Sequence, residues 1–354
     1  MKIAVLGCGA MGTVIGAYLS QAGVSVEMID NYQAHVDAMN QEGAHIIGTV
    51  DKVIPVKAIT PEQMSGIYDV VFLLTKQTAN PAVLPRLLSY LGPDSVVCTL
   101  QNGVPEPSVA SYVGEDRTIG GTMLWGATFI EPGISELTQD ITKCDHLFEL
   151  GQMDGKIGPR LEKAAKVLGK MGPVKLTDTL MASRWGKLVS NACMSGMSAV
   201  CGCTFNDVLE NPKARACLSY MGREVDRCCR AAGYRLPTLL SSQPPESLAF
   251  DSQEGFRDCQ VMFMRMYDGL RPAKASMLQD LEKGRKCEVH MINGFVCDTG
   301  DQYGIETPFN DVAVEVISRI EAGELPLSIG NLDFFDDRLF EYVLYETSKL
   351  PWRS

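Results

Sequence analysis

Apolar positions along the chain follow two rhythms. Through about residue 178, short apolar runs alternate with stretches in which apolar residues recur every three or four positions. The run Ile3–Leu6 reads as a strand. Met11, Ile15, Leu19 and Ala22 then lie at helical spacing, and Gly23 stops that helix. The same spacing predicts a strand over 24–29, a helix from Asn31 to about Glu42, and short strands over 44–59 broken by Gly48 and Pro55. A buried strand over 68–74, a helix over 81–91 and a strand over 95–100 follow. Residues 118–130 and 135–138 read as antiparallel strands turned at Pro132-Gly133, with 146–150 beside them. Strands separated by helices predict right-handed βαβ units in a mostly parallel sheet.

Beyond Asp178 helical periodicity takes over, at 180–200, 211–233, 253–267, 274–285, 288–304 and 308–323, with loops at Pro237 and 241–245. The tail after Gly323, with Phe334-Phe335 and Tyr342 to Tyr345, reads as one further helix. The expected architecture is an α/β Rossmann-type N-terminal domain over 1–178 and an all-helical C-terminal domain over 179–354. The first would bind a dinucleotide, and the second would carry substrate-binding and catalytic residues.

Composition narrows the function. The 354 residues suffice for two domains, and 45% hydrophobic with 21% charged residues is ordinary for a globular chain. The formal charge is −11, shared as −6 over residues 1–178 and −5 over the rest. Neither half has the basic surplus that nucleic acid or an anionic lipid surface demands. No apolar run approaches the ~18 residues of a membrane span, and the chain opens directly into a strand rather than a leader. Twelve cysteines form no Cys-x-x-Cys, and the four histidines (35, 45, 146, 290) are isolated, so no metal is expected. Buried, reduced thiols in a cytoplasmic protein are the simplest reading.

Chemistry enters at the first turn. Gly7-Cys8-Gly9-Ala10-Met11-Gly12 fits G-x-G-x-x-G between a strand and a helix, the setting in which this pattern binds a dinucleotide. Gly7 permits the tight turn, Gly9 admits the pyrophosphate, and Gly12 lets helix and strand pack; Ala10 and Met11 open the helix whose N–H groups face the phosphates. Asp30 ends the second strand, where an acid accepts hydrogen bonds from the ribose 2′-hydroxyl, or alternatively caps the next helix. No Arg or Lys lies between Glu27 and Lys52 to hold a 2′-phosphate, which favours NAD(H) over NADP(H). In the second half, Lys187, Asn191 and Ser195 recur at i, i+4 and i+8 on an otherwise apolar segment and would share one helix face. Such a lysine either snorkels to solvent or lines a wet cleft.

These pieces together resemble the ketopantoate reductase (2-dehydropantoate 2-reductase) family. The resemblance covers roughly residues 1–325 and is carried by the glycine turn, Thr75-Lys76, Gln101-Asn102-Gly103, K-L-x-x-N at 187–191, Ser276-Met277-Leu278-Gln279-Asp280, and Glu288 with Ile292-Asn293-Gly294-Phe295. It implies that Lys187 is the general acid and that Glu288 holds the ammonium and the substrate oxygen in line. It also implies that Asn102, Asn191 and Ser276 bind a small 2-oxo acid, with Ser195 a further candidate where the family has another substrate Asn, and that Lys76 lies near the nicotinamide ribose and the substrate, with Asn102 near the cofactor as well. Asp280 would be a structural partner in the cleft. Independently, hydride addition to a ketone puts charge on oxygen, which a poised cation stabilises and protonates.

The sequence departs from the family twice. Members usually prefer NADPH and carry a basic residue after the second strand, where Asp30-Asn31-Tyr32 stands here. They commonly carry Asn-Pro where this chain has Ser195-Gly196, which implies a reshaped pocket. Another β-hydroxyacid or opine-type dehydrogenase of the same plan is an alternative. So is a non-catalytic dinucleotide sensor, against which the pairing of Lys187 with Glu288 argues. A helical second domain often supplies dimer contacts, and a homodimer stays open.

Overall fold

The chain enters the middle of a sheet. β1 (Ile3–Leu6) leads through α1 (Ala10–Gln21) to β2 (Val26–Ile29), which pairs parallel to it, and α2 (Gln33–Glu42) follows. β3 (Ala44–Gly48), β4 (Lys52–Ile54) and β5 (Ala58–Ile59) precede β6 (Tyr68–Leu73), which pairs with the other edge of β1. α3 (Asn80–Leu87), β7 (Leu91–Thr99), α4 (Glu106–Val113) and β8 (Thr118–Met123) extend the sheet in that direction. β9 (Ala127–Glu131) and β10 (Ile134–Leu137) form a hairpin. β11 (Phe148–Gly151), α5 (Pro159–Leu168) and β12 (Val174–Thr177) complete the first half.

The main sheet runs β12-β11-β8-β7-β6-β1-β2-β5. Its apolar side chains alternate between two cores, so both faces are buried and the strands read as continuous apolar runs. Val5, Phe72 and Cys98 pack with Val14, Ile15 and Leu161 on one side. Leu6, Val71, Leu73 and Val97 pack with Leu84 and Val109 on the other. The strand order reverses between β1 and β6, the switch point at whose carboxyl ends open α/β sheets bind ligands.

Two expectations are corrected here. Residues 118–130 are not one strand: β8 belongs to the main sheet, while β9 joins a second sheet ordered β4-β3-β10-β9. That sheet pairs residues far apart in sequence, Ile134 with His45 for example, so no local pattern announced it. Its apolar Ala44, Ile46 and Leu137 pack with Val14 and Leu19 of α1. In addition, the strand at 146–150 pairs with only the first part of 118–130: β11 runs antiparallel to β8 in the main sheet and not to the hairpin β9-β10.

The second half is helical: α6 (Leu180–Val189), a π-turn over Ser190–Ser195, α7 (Gly196–Cys201), α8 (Phe205–Glu210) and α9 (Pro212–Ala231). α10 (Gln253–Met266), α11 (Ser276–Glu282), α12 (Val289–Tyr303) and α13 (Pro308–Glu321) follow. α9 is buried along most of its length and starts on Asn211, whose side chain accepts from the N–H groups of Lys213 and Ala214.

The tail is not the expected helix. It makes three short 3₁₀ turns, at Ile329–Phe334, Asp337–Leu339 and Thr347–Lys349. Its backbone groups bond sideways instead of along the chain. Val343 exchanges N–H and C=O bonds with the Gln253 amide, both at 2.9 Å. The N–H groups of Glu341 and Tyr342 donate to the Tyr220 hydroxyl, and Tyr345 O accepts from the buried Arg215. A helix would consume those groups internally.

The structure describes residues 1–239 and 243–351. Ser241 and Ser242, part of an expected loop, lie outside the described residues. The contacts divide the chain into two compact units, Met1–Leu180 and one beginning at Met181. Among the described residues no helix is long and apolar enough to cross a membrane, and no cluster of side chains suits a metal ion.

Candidate active site

In the first unit the expected residues gather at the carboxyl ends of β2, β1, β6 and β7. Gly7 holds a φ of 98°, and a Cβ there would meet Thr75 N at 2.4 Å, so the turn lies directly against the loop after β6. A Cβ on Gly12 would sit 2.1 Å from Gly7 O. A Cβ on Gly9 would meet nothing within 4 Å. The protein's own packing therefore does not require Gly9; the open side of Gly9 is the cradle where the motif would admit a pyrophosphate. α1 begins on Gly9 with no side-chain cap, which leaves its first N–H groups to an anion.

Asp30 stands beside this turn. Its Oδ2 accepts from Cys8 N at 2.8 Å and its Oδ1 from Tyr32 N at 2.9 Å. The carboxylate is thus held by the turn and the following loop, with lone pairs remaining on both oxygens. His35, given no role by the sequence, supports the turn from beneath. Its Nδ1 accepts from Gly133 N at 2.8 Å, so Nε2 carries the proton donated to Cys8 O at 2.7 Å. Burial holds this imidazole below its usual pKa, in keeping with the neutral form. Nothing in the sequence signals this role, because Gly133 is 98 residues away.

The loops after β6 and β7 are tied by Gln101. Its Nε2 donates to Thr75 O and to Asn80 Oδ1, both at 2.7 Å. Gln77 Nε2 donates to Asn102 O at 2.6 Å. Asn102 is half-buried next to this clamp, and Lys76 is exposed on the neighbouring loop.

In the second unit Lys187 lies near the end of α6, where burial first and then the nearby Arg184 charge pull its ammonium down to about 8. The π-turn corrects the expected alignment with Asn191 and Ser195. Gly196 N–H reaches back five residues to Asn191 O, so the turn is wider than α-helical and the i, i+4, i+8 stripe does not continue straight through it. Such turns recur at functional sites. Asn191 Nδ2 is shielded from solvent and makes no hydrogen bond within the described residues. Glu288 is buried at the start of α12. α12 packs on both preceding elements: Phe295 lies 5.4 Å from Trp185 between ring centroids, and Asn293 bonds Ala192 O. Lys187, Asn191 and Glu288 thus stand on mutually packed elements. Ser276 is exposed in the first turn of α11, which packs on the π-turn, and Asp280 lies further along the same helix. His290 is exposed and faces Ser318 at 3.2 Å.

A doubly wound sheet with an open glycine cradle at its switch point, followed in the same chain by a helical unit bearing a lysine and an unpartnered amide, defines a nicotinamide-dinucleotide-dependent oxidoreductase. The family model described as ketopantoate reductase PanE/ApbA matches residues 3–146, and that for its C-terminal part matches residues 179–321. The chain belongs to the ketopantoate reductase family. It is 25% identical over 324 residues to the 2-dehydropantoate 2-reductase of Archaeoglobus fulgidus, covering 91% of this chain and 98% of that one. It is 27% identical over 328 residues to that of Pyrococcus abyssi, covering 92% and 99%. Among solved structures, a PanE/ApbA family ketopantoate reductase from Ralstonia eutropha matches with TM-score 0.77 at 22% identity, covering 92% of this chain and 99% of that one. D-mandelate dehydrogenase in ternary complex with NADH and anilino(oxo)acetate matches with TM-score 0.76 at 22% identity over the same shares.

Proposed function

We propose that this protein reduces a 2-oxo acid to a 2-hydroxy acid, with 2-dehydropantoate, giving pantoate, as the default substrate and NADH as the donor. The observation that carries the reading is Asn191, whose shielded Nδ2 is unpartnered one turn beyond Lys187. An unpaired buried donor costs about 1–3 kcal/mol, which a substrate oxygen would recover. A dinucleotide whose pyrophosphate lies at Gly9 would supply, from its reduced nicotinamide ring, the hydride for the carbonyl carbon. Lys187 Nζ stabilises the charge growing on the carbonyl oxygen and gives it a proton, leaving a hydroxyl group. Glu288 orients the ammonium, while Asn102, Asn191, Ser195 and Ser276 hold the substrate. Gly7, Gly9, Ala10, Met11, Gly12 and Lys76 serve the dinucleotide. Twelve cysteines with no disulfide among the described residues support a cytoplasmic setting.

Two observations favour a second substrate. Ser195-Gly196 departs from the family pattern, and the D-mandelate dehydrogenase complexes share the fold. An aromatic 2-oxo acid such as phenylglyoxylate therefore belongs in the assay beside ketopantoate.

The deciding experiment is NADH oxidation with a panel of 2-oxo acids, run alongside Lys187→Ala. Turnover should fall by about 10²–10⁴-fold with dinucleotide affinity retained. An unmutated protein that binds NADH and turns over no panel member is a sensor, and the proposal fails. Donor choice is tested by Asp30→Arg. Losing a charge-assisted bond to the ribose and gaining a phosphate partner should shift the NADH/NADPH preference by about tenfold or more. Equal use of both donors by the unmutated enzyme removes the role given to Asp30.

A further inference from the structure

The π-turn is held from behind by a chain of buried polar side chains. Ala192 O, inside the turn, accepts from Asn293 Nδ2 at 3.0 Å. The same nitrogen donates to Asn310 Oδ1 at 2.9 Å. Asn310 Nδ2 donates to Glu224 Oε2 at 2.6 Å and to Met221 O at 3.4 Å. Glu224 also accepts from the N–H groups of Phe309 and Asn310, each at 2.9 Å. Asn293 and Asn310 are wholly buried and Glu224 nearly so.

Each amide nitrogen faces two acceptors, so neither side chain can be flipped without losing both bonds. The chain links α9 and the start of α13, through α12, to the π-turn. A buried network with such demands supports one arrangement of its helices. An α-helix needs no support of this kind, whereas a π-turn, rare and with less regular bonding, does. Gly196 leaves the room required: a Cβ there would lie 3.1 Å from Asn293 Nδ2.

Asn293 also sits five residues after Glu288, on the helix that Glu288 opens. We propose that Asn293 is a positioning residue. By locking α12 to Ala192 it sets the placement of Glu288 against Asn191 and Ser195, with Asn310 and Glu224 holding Asn293 itself. This rests on the reductase reading above.

The test compares Asn293→Ala with Asn293→Ser, which keeps a donor, and with Gly196→Ala, whose methyl would press on the amide. Asn293→Ala should bind NADH as before and melt within a few degrees of the unmutated enzyme. Its kcat/KM for the 2-oxo acid should fall about 100-fold, mostly in kcat, the scale of loss that follows a 1 Å misplacement. Asn293→Ser should recover part of that loss. Amide exchange over residues 190–196 should quicken in Asn293→Ala. An Asn293→Ala enzyme with unmutated kcat and KM overturns the proposal, whether or not exchange quickens, because the contact is then merely structural. If Asn293→Ala does not fold, Gly196→Ala carries the same readouts, and unmutated kinetics there overturn the proposal equally. Absence of turnover in the unmutated enzyme is a different failure: it removes the reductase reading and this inference with it.

Discussion

At the scale of single residues, Lys187 is the proposed proton donor, and its environment makes a pH-dependent prediction. Burial favours the neutral amine and brings its pKa to about 8 from the ordinary 10.5. Reduction needs the protonated form. The kcat/KM for reduction should therefore be level below about pH 8 and fall about tenfold per unit above it, while hydroxy-acid oxidation rises over the same range. A reduction rate that stays level to pH 10 would sink the assignment. Lys187 itself was legible because a cation stands out on an apolar segment. Asn191 was legible by spacing, but its unpartnered nitrogen was not, because whether a donor finds an acceptor depends on neighbours from other helices. His35 and Asn293 were illegible as supports for the same reason: their partners, Gly133 and Ala192, are about a hundred residues distant.

At the scale of elements, the glycine turn shows how one motif holds residues of different kinds. Gly12 is required by packing, since its Cβ would overlap Gly7 O, whereas Gly9 faces open space. Gly12→Ala should lower the melting temperature and weaken folding. Gly9→Ala should melt like the unmutated protein yet bind NADH at least about tenfold more weakly, which calorimetry and a thermal scan separate. Unchanged NADH affinity in Gly9→Ala would mean the cradle is not the phosphate site. The strands and helices around the turn were readable because both faces of the sheet are buried and each strand is an apolar run. The second sheet and the π-turn were not readable. One depends on pairing between distant segments, and the other on a single inserted residue per turn that leaves the apolar rhythm almost intact.

For the whole chain, the tail bears on the stability of the helical unit. The family match ends at residue 321, and the tail then lays Phe335 and Phe340 on Phe309, and Tyr342 on Phe256. Arg215, fully buried, donates to Thr347 Oγ1 at 3.0 Å and to Gln260 Oε1 at 2.9 Å. Ending the chain at Gly323 removes the tail acceptors of the Arg215 guanidinium and uncovers the aromatic cluster. The helical unit should melt roughly 10 °C lower by circular dichroism, with NADH binding by the first unit retained. An unchanged melting curve would show the tail to be dispensable.

Local pattern by itself determined the two-part plan, the parallel sheet and the glycine turn, and made Lys187 a candidate, because each is written in nearby residues whose spacing matches a strand, a helix or a turn. Tertiary structure alone decided the second sheet, the widened turn at Asn191, the extended course of the tail and the buried chain from Glu224 to Ala192. Apart from the widened turn, those features are bonds between residues tens to more than a hundred positions apart, and a hydrogen bond is specified by where its partner comes to lie, which no window of neighbouring residues contains.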